Sequence, residues 1–251
     1  MNTPRQTPFA GRSAVVTGAA SGIGRATAER LRDEGAAVLA VDRNGELLET
    51  LEGCAHLQVD LATLDGVASV VAAAPAPDLL VNAAGVLLLR ALAEVDEAAF
   101  DTQIAVNLKA VFFLSQALCP RIAAGGAVVN LSSTSAQTGS TLEAAVYAAT
   151  KAAVLSLTRA FAHANAARNV RVNAVVPGIV DTPMQDAVLA QVAAIQGVSS
   201  EQLAVARLQG VPLARSSSAA ECAALIAFLL SDDAGYLTGQ AIDWSGGLVM
   251  R

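Results

Sequence analysis

Seven short apolar runs of strand character, Ser13–Thr17, Ala37–Val41, His56–Val59, Leu79–Asn82, Ala127–Leu131, Val170–Val175 and Ala241–Trp244, are separated by stretches long enough for a helix. Their Val-rich interiors lack the polar alternation of a sheet with one wet face, so each strand must be covered on both sides. Strands joined by helix-length connections meet that demand as a parallel sheet. The expected fold class is therefore α/β, a doubly wound, seven-stranded parallel sheet with helices on both faces. The two longest helical patterns are Asp96–Ala124 and Glu143–Arg168, both Ala-rich. The second carries apolar residues on more than one side, as a helix does that buries a further face against another subunit.

Nothing in the chain suggests a division. The breaks at Ala74–Pro77 and Gly125–Gly126 are no longer than ordinary connections and no repeat appears, so residues 1–251 are expected to form a single domain. At 54% hydrophobic and 15% charged residues the chain can fill a large core. The net charge of -6, without a Lys/Arg cluster, argues against a nucleic-acid partner. No apolar run reaches the roughly 18 to 20 residues of a membrane span, and Met1–Ala10 is polar and proline-bearing, unlike a signal peptide. No membrane association and a cytoplasmic location are expected. Cys54, Cys119 and Cys222 lie far apart, without CxxC spacing or a neighbouring His, and are expected to be buried free thiols with no metal site.

The first strand runs into Thr17-Gly18-Ala19-Ala20-Ser21-Gly22-Ile23-Gly24, and Arg25–Glu34 then reads as a helix. Glycines in a strand–turn–helix junction permit positive φ and let the backbone approach a pyrophosphate, which the free N–H groups of the helix end favour. The second strand ends at Asp42-Arg43. An acid there accepts hydrogen bonds from the adenosine ribose hydroxyls, favouring NAD. A 2′-phosphate would meet like charge at Asp42, and Ser21 offers no cation, although Arg43 could swing onto a phosphate. The expected cofactor is NAD, with NADP second.

Tyr147 and Lys151 stand one turn apart inside a helical pattern, on one face. A free Tyr titrates near 10, so a drop of about three units would poise it as an acid/base near neutrality, and Lys151 can supply part of that. The lysine can also hold the nicotinamide ribose hydroxyls.

These motifs occur in order with Asp60 after the third strand, Asn82-Ala83-Ala84-Gly85, Asn107, Asn130-Leu131-Ser132-Ser133, and Pro177-Gly178. Over nearly its full length the chain resembles the short-chain dehydrogenase/reductase family, whose fold is a Rossmann-type sheet. The resemblance implies Tyr147 as general acid/base, Lys151 as cofactor anchor and pKa modulator, Ser133 as hydrogen-bond donor to the substrate oxygen, and Asn107 in a proton-relay water site. It places Asp60 near the adenine, Asn82 and Gly85 beneath the cofactor, and Thr182 at the nicotinamide carboxamide. Further cofactor contacts are implied for Gly18, Ser21, Gly22, Ile23, Gly24, Arg43, Leu61, Ala83, Pro177, Gly178 and Val180.

Two departures stand out. Ala83 replaces a common second Asn, and Ser133 and Tyr147 are 14 apart where family members usually show 13. Either the intervening loop carries the extra residue or Thr134 takes the hydroxyl role; Ser133, directly after the strand, is the preferred choice. The excursion Gly178–Gly210 follows a strand end and is a candidate substrate lid. Asp181–Leu213 resembles the lid of polyol and sugar-acid dehydrogenases, which implies a small alcohol/ketone partner of polyol or sugar type. A 3-oxoacyl-thioester or hydroxysteroid substrate, a same-fold enzyme of epimerisation or dehydration, and a non-catalytic dinucleotide sensor are the alternatives. The Ala-rich helices and Gly239–Gly247 resemble the interface elements of family tetramers, so a homotetramer is expected.

Overall fold

The computed structural model describes residues 7–138 and 142–250. Nine strands and ten α-helices are present among them: β1 Ser13–Thr17, α1 Gly22–Asp33, β2 Ala37–Asp42, α2 Gly45–Glu49, β3 Ala55–Gln58, α3 Leu64–Ala73, β4 Leu79–Asn82, α4 Glu97–Ile104, α5 Ala110–Leu118 and β5 Ala127–Leu131. There follow α6 Ser135–Thr138, α7 Ala145–Asn165, β6 Arg171–Pro177, β7 Val180–Asp181, α8 Pro183–Gln196, α9 Ser200–Gln209, β8 Ser217–Ser218, α10 Ala219–Leu230 and β9 Ala241–Trp244.

Seven strands form one sheet in the order β3-β2-β1-β4-β5-β6-β9, every pair parallel. Alternate strand residues feed two cores. Ala14 and Val16, Leu79 and Val81 point to the side where Ala28 and Leu31 of α1 meet Ile226 and Leu229 of α10. Val15, Leu80 and Val128 point the other way, against Leu114 and Leu118 of α5. Each such side chain contributes about 1.5–3 kcal/mol by leaving water. Strand order reverses between β1 and β4, so their carboxyl ends diverge and open a crevice there.

The long helical pattern beginning at Asp96 is interrupted. Between α4 and α5 the backbone widens into a π-turn at Ala105–Lys109. The helical stretch Glu97–Arg121 is long and apolar enough, by length and composition alone, to cross a membrane, and half of its most apolar window is buried within the fold. The excursion after β6 consists of α8 and α9, framed by the two-stranded ladder of β7 and β8, a small sheet that the sequence reading lacks. Cys119 and Cys222 are buried free thiols, as expected, but Cys54 is only partly buried.

Candidate active site

A cavity of about 730 Å³ opens at the carboxyl ends of the strands. All the candidate catalytic and cofactor-binding residues line it except Asn82 and Asn107. Its adenosine end is set by the glycine loop. Gly18 has φ +68, and a Cβ there would lie 2.8 Å from the Ala84 backbone; a Cβ on Gly24 would lie 2.1 Å from the Gly18 carbonyl oxygen. The loop is thus packed backbone on backbone. Thr17 Oγ1 secures it, accepting from the amides of Ala83 and Ala84, both at 3.1 Å. Ser21 caps α1 without a side-chain bond, and the first turn holds no acid, so the positive helix end faces the cavity uncompensated. Asp42 closes this end: Oδ2 accepts from Ala20 N at 3.1 Å and Oδ1 from Asn44 N at 3.0 Å. Arg43 beside it is exposed and, among the described residues, in no ion pair. These groups are a cradle suited to a dinucleotide.

Asn82 lies below the cavity floor. Its amide donates to Asn130 Oδ1 at 2.8 Å and to Ser115 Oγ at 3.3 Å, and Asn130 passes the chain on to Thr158. Asn82 Oδ1 is buried without a partner among the described residues. Asn107 sits in the π-turn, fully buried. Its Oδ1 accepts from Val86 N at 2.8 Å and its Nδ2 donates to Val86 O at 2.9 Å and Thr150 Oγ1 at 3.3 Å. The amide therefore clamps the loop after Gly85 to the helix that carries Tyr147 and Lys151. Both of its donors are engaged, so what this side chain visibly does is position that loop; the relay role implied by resemblance rests on its remaining acceptor capacity.

At the other end Ser133 and Tyr147 line the cavity together, and the Ser133 hydroxyl is near enough to the phenol to hold its pKa down in part. The neighbouring Thr134 also lines the cavity. The extra residue between Ser133 and Tyr147 falls in a connection whose centre, 139–141, lies outside the described residues. Lys151 is buried with its Nζ donating to Leu131 O at 2.8 Å and lying 5.6 Å from the centre of the Tyr147 ring. Two ammonium donors remain for ribose hydroxyls.

The phenol differs from the expectation of a lowered pKa. Although part of its surface meets the cavity, the surrounding protein pushes Tyr147 up to about 12, only partly offset by Ser133. Burial also pulls Lys151 down to about 8. Both shifts have one cause, loss of water without a countercharge.

This makes Lys151 a testable liability. Below pH 8 the folded and unfolded chains both hold its proton and the burial penalty acts in full. As pH climbs from about 8 toward the ordinary 10.5, the folded chain alone deprotonates and stability is recovered. Cys119 and Cys222, pushed up to about 12, act in the opposite sense above about pH 9, so the lysine is isolated by comparison with a variant. Lys151→Met is expected to be more stable than the parent at pH 7 by about 1–3 kcal/mol, with a gap that narrows between pH 8 and 10. Denaturant unfolding across that range checks it; a constant gap would contradict the account.

A family profile described as enoyl-(acyl carrier protein) reductase matches residues 18–249. The chain is 37% identical to L-xylulose reductase from Bos taurus over 248 residues, 96% of this chain and 98% of the relative. A 3-oxoacyl-[acyl-carrier-protein] reductase from Thermotoga maritima is also 37% identical, over 255 residues, with 96% and 98% covered. Among solved structures, a short-chain dehydrogenase/reductase, glucose/ribitol dehydrogenase from Brucella melitensis, superposes with a TM-score of 0.87 at 32% identity, covering 97% of this chain and 99% of that one. Such a sheet, in such company, defines an alcohol/ketone oxidoreductase using NAD or NADP. The chain belongs to the short-chain dehydrogenase/reductase family.

Part of the wall above Tyr147 falls in the excursion read from the sequence as a candidate substrate lid: Met184, Gln185, Val188 and Arg207 line the cavity. Leu87, Leu89 and Leu248 line it as well and were not singled out from the sequence, because no motif marks them.

Proposed function

We propose that the chain is an NAD-linked dehydrogenase that interconverts a secondary alcohol and a ketone, on a substrate of polyol or sugar-derived type. The observation that carries this reading is the convergence of Ser133, Tyr147 and Lys151 in the same cavity as the glycine loop. When bound, the dinucleotide supplies the nicotinamide carbon that exchanges hydride with the substrate. Ser133 donates to the reacting oxygen, and the Tyr147 phenol gives a proton to that oxygen on reduction or takes it on oxidation. Lys151 directs its free ammonium donors at ribose hydroxyls. Closure of α8 and α9 over the substrate excludes water. The protein acts in the cytoplasm as a homotetramer, with α7 offering Ala152 and Ala160, both exposed on the single chain, to a second copy.

Asp42 supports NAD over NADP. Its carboxylate is held from two sides by backbone amides, so it would stand against a 2′-phosphate rather than swing away. Asp42→Ala is expected to lower kcat/KM with NAD about tenfold or more and raise the NADP-to-NAD ratio at least as much. Initial rates with both cofactors decide it; an unchanged ratio would remove Asp42 from the argument. The apolar chamber and the acyl-carrier relative favour a second reading, reduction of a 3-oxoacyl thioester. A panel of polyols, hydroxy acids, hydroxysteroids and acyl thioesters separates the two.

A further inference from the structure

Arg207 stands on α9 one turn beyond Leu203. Leu203 is buried with Leu89 and Ala144 in a cluster against which Tyr147 and Val188 pack. The face of α9 shared by Leu203 and Arg207 therefore looks onto the chamber above the phenol, and Arg207 lines it. The guanidinium is half-buried, and burial pulls it below the usual arginine range. Among the described residues it has neither an ion pair nor a side-chain hydrogen bond. The buried Arg171, by contrast, donates to the carbonyls of Leu229, Leu230 and Ser231.

A second donor in the chamber is likewise unanswered. Gln185 lines the cavity from α8; its Nε2 is buried, has no partner among the described residues, and meets a ligand in the cavity only after its side chain rotates. The carboxylates of the cavity, Asp42 and Asp60, belong to the adenosine end, at and just beyond the termini of β2 and β3. An unpaired cation and an unpaired amide donor, kept apart from any acid, call for an acceptor that the ligand brings.

We infer that Arg207, with the Gln185 amide in the same chamber, anchors a carboxylate on the substrate, so that the alcohol oxidised above Tyr147 is that of a hydroxy acid. A guanidinium matches a carboxylate with two parallel hydrogen bonds and one unit of charge. A phosphate dianion would need a second cation, and among the described residues the other basic group lining this end, Lys151, is committed to Leu131 and the cofactor side. The apolar walls from Leu87, Val188 and Met184 strengthen the pair by excluding water. The inference rests on the oxidoreductase reading for the position of the reacting carbon, but the anion site can be tested without turnover.

The experiment uses the full chain with NADH or NAD and compares hydroxy acids, and the matching keto acids, with their neutral amides. Acids are expected to exceed amides about 100-fold in kcat/KM. Arg207→Gln should abolish most of that preference through KM, leaving kcat and the amides within about threefold; Arg207→Lys should restore part of it. NADH affinity, read by fluorescence, should not change. Equal use of acids and amides by the parent, an acid preference that survives Arg207→Gln, failure of every acid to bind the enzyme–NADH complex, or better use of phosphate monoesters than carboxylates would each overturn the assignment. So would loss of NADH affinity in Arg207→Gln, since the anion would then be the cofactor's own. Calorimetric binding of hydroxy acids that depends on Arg207, with no alcohol or ketone turned over, would uphold the anion site and overturn the oxidoreductase reading instead.

Discussion

Tyr147→Phe is expected to lower kcat by about a thousandfold or more while leaving dinucleotide affinity within about twofold. The ring keeps its place against Leu89, Ala144 and Val188, so the cavity retains its shape. What disappears is the hydroxyl that can exchange a proton with the substrate oxygen beside Ser133. Stability should barely move, because the phenol is partly open to the cavity and Ser133 Oγ keeps its bond from Ser135 N. The pH dependence carries further information. A phenol held at about 12 in the unliganded enzyme is protonated throughout the neutral range and ready to donate for ketone reduction. Oxidation needs the phenolate, so its rate should rise with pH, while reduction falls only at strongly alkaline pH. Steady-state rates in both directions test this; near-normal turnover by Tyr147→Phe would defeat the mechanism.

The second large effect belongs to Gly24. A methyl there would sit 2.1 Å from the Gly18 carbonyl oxygen, an overlap that only a backbone shift can relieve. Since the same loop must meet a pyrophosphate, Gly24→Ala is expected to weaken dinucleotide binding at least about 100-fold and to cost about 2 kcal/mol of stability. Gly125→Ala is the matched control. Its φ of +87 makes an alanine strained, yet nothing lies within 4 Å of the added Cβ. That variant should lose about 1–2 kcal/mol and no affinity. If both variants bound the dinucleotide equally well, backbone packing in the loop would not be what shapes the site.

Strand positions were legible because burial on both faces leaves short Val-rich runs, whereas the apolar helices α7 and α10 are Ala-rich. Ser13–Thr17, Leu79–Asn82, Ala127–Leu131 and Ala241–Trp244 coincide with the observed strands. The edge strand Ala55–Gln58 is one residue off, and it is mostly exposed, so apolar patterning is weakest there. The π-turn was not legible. A widened turn needs no special composition, only a residue such as Asn107 whose amide finds better partners off the helix axis. The glycine loop and the Tyr147/Lys151 spacing were readable because local geometry dictates them. The phenol's environment was not, since desolvation depends on residues as distant as Leu89 and Val188, far from it in sequence. Arg207 was invisible for the same reason: a charge gains meaning only from the absence of a partner in space.

The ladder that pairs Val180 with Ser217 and Asp181 with Ser218 has a broader consequence. It ties together the two ends of the segment holding α8 and α9, and neither strand joins the main sheet. The segment is thus an interchangeable cassette: its ends are pinned at a fixed separation, while its sequence is free of any ladder shared with the strands that carry the proton-transfer residues. Exchanging it between relatives should transplant substrate preference without rebuilding the catalytic apparatus.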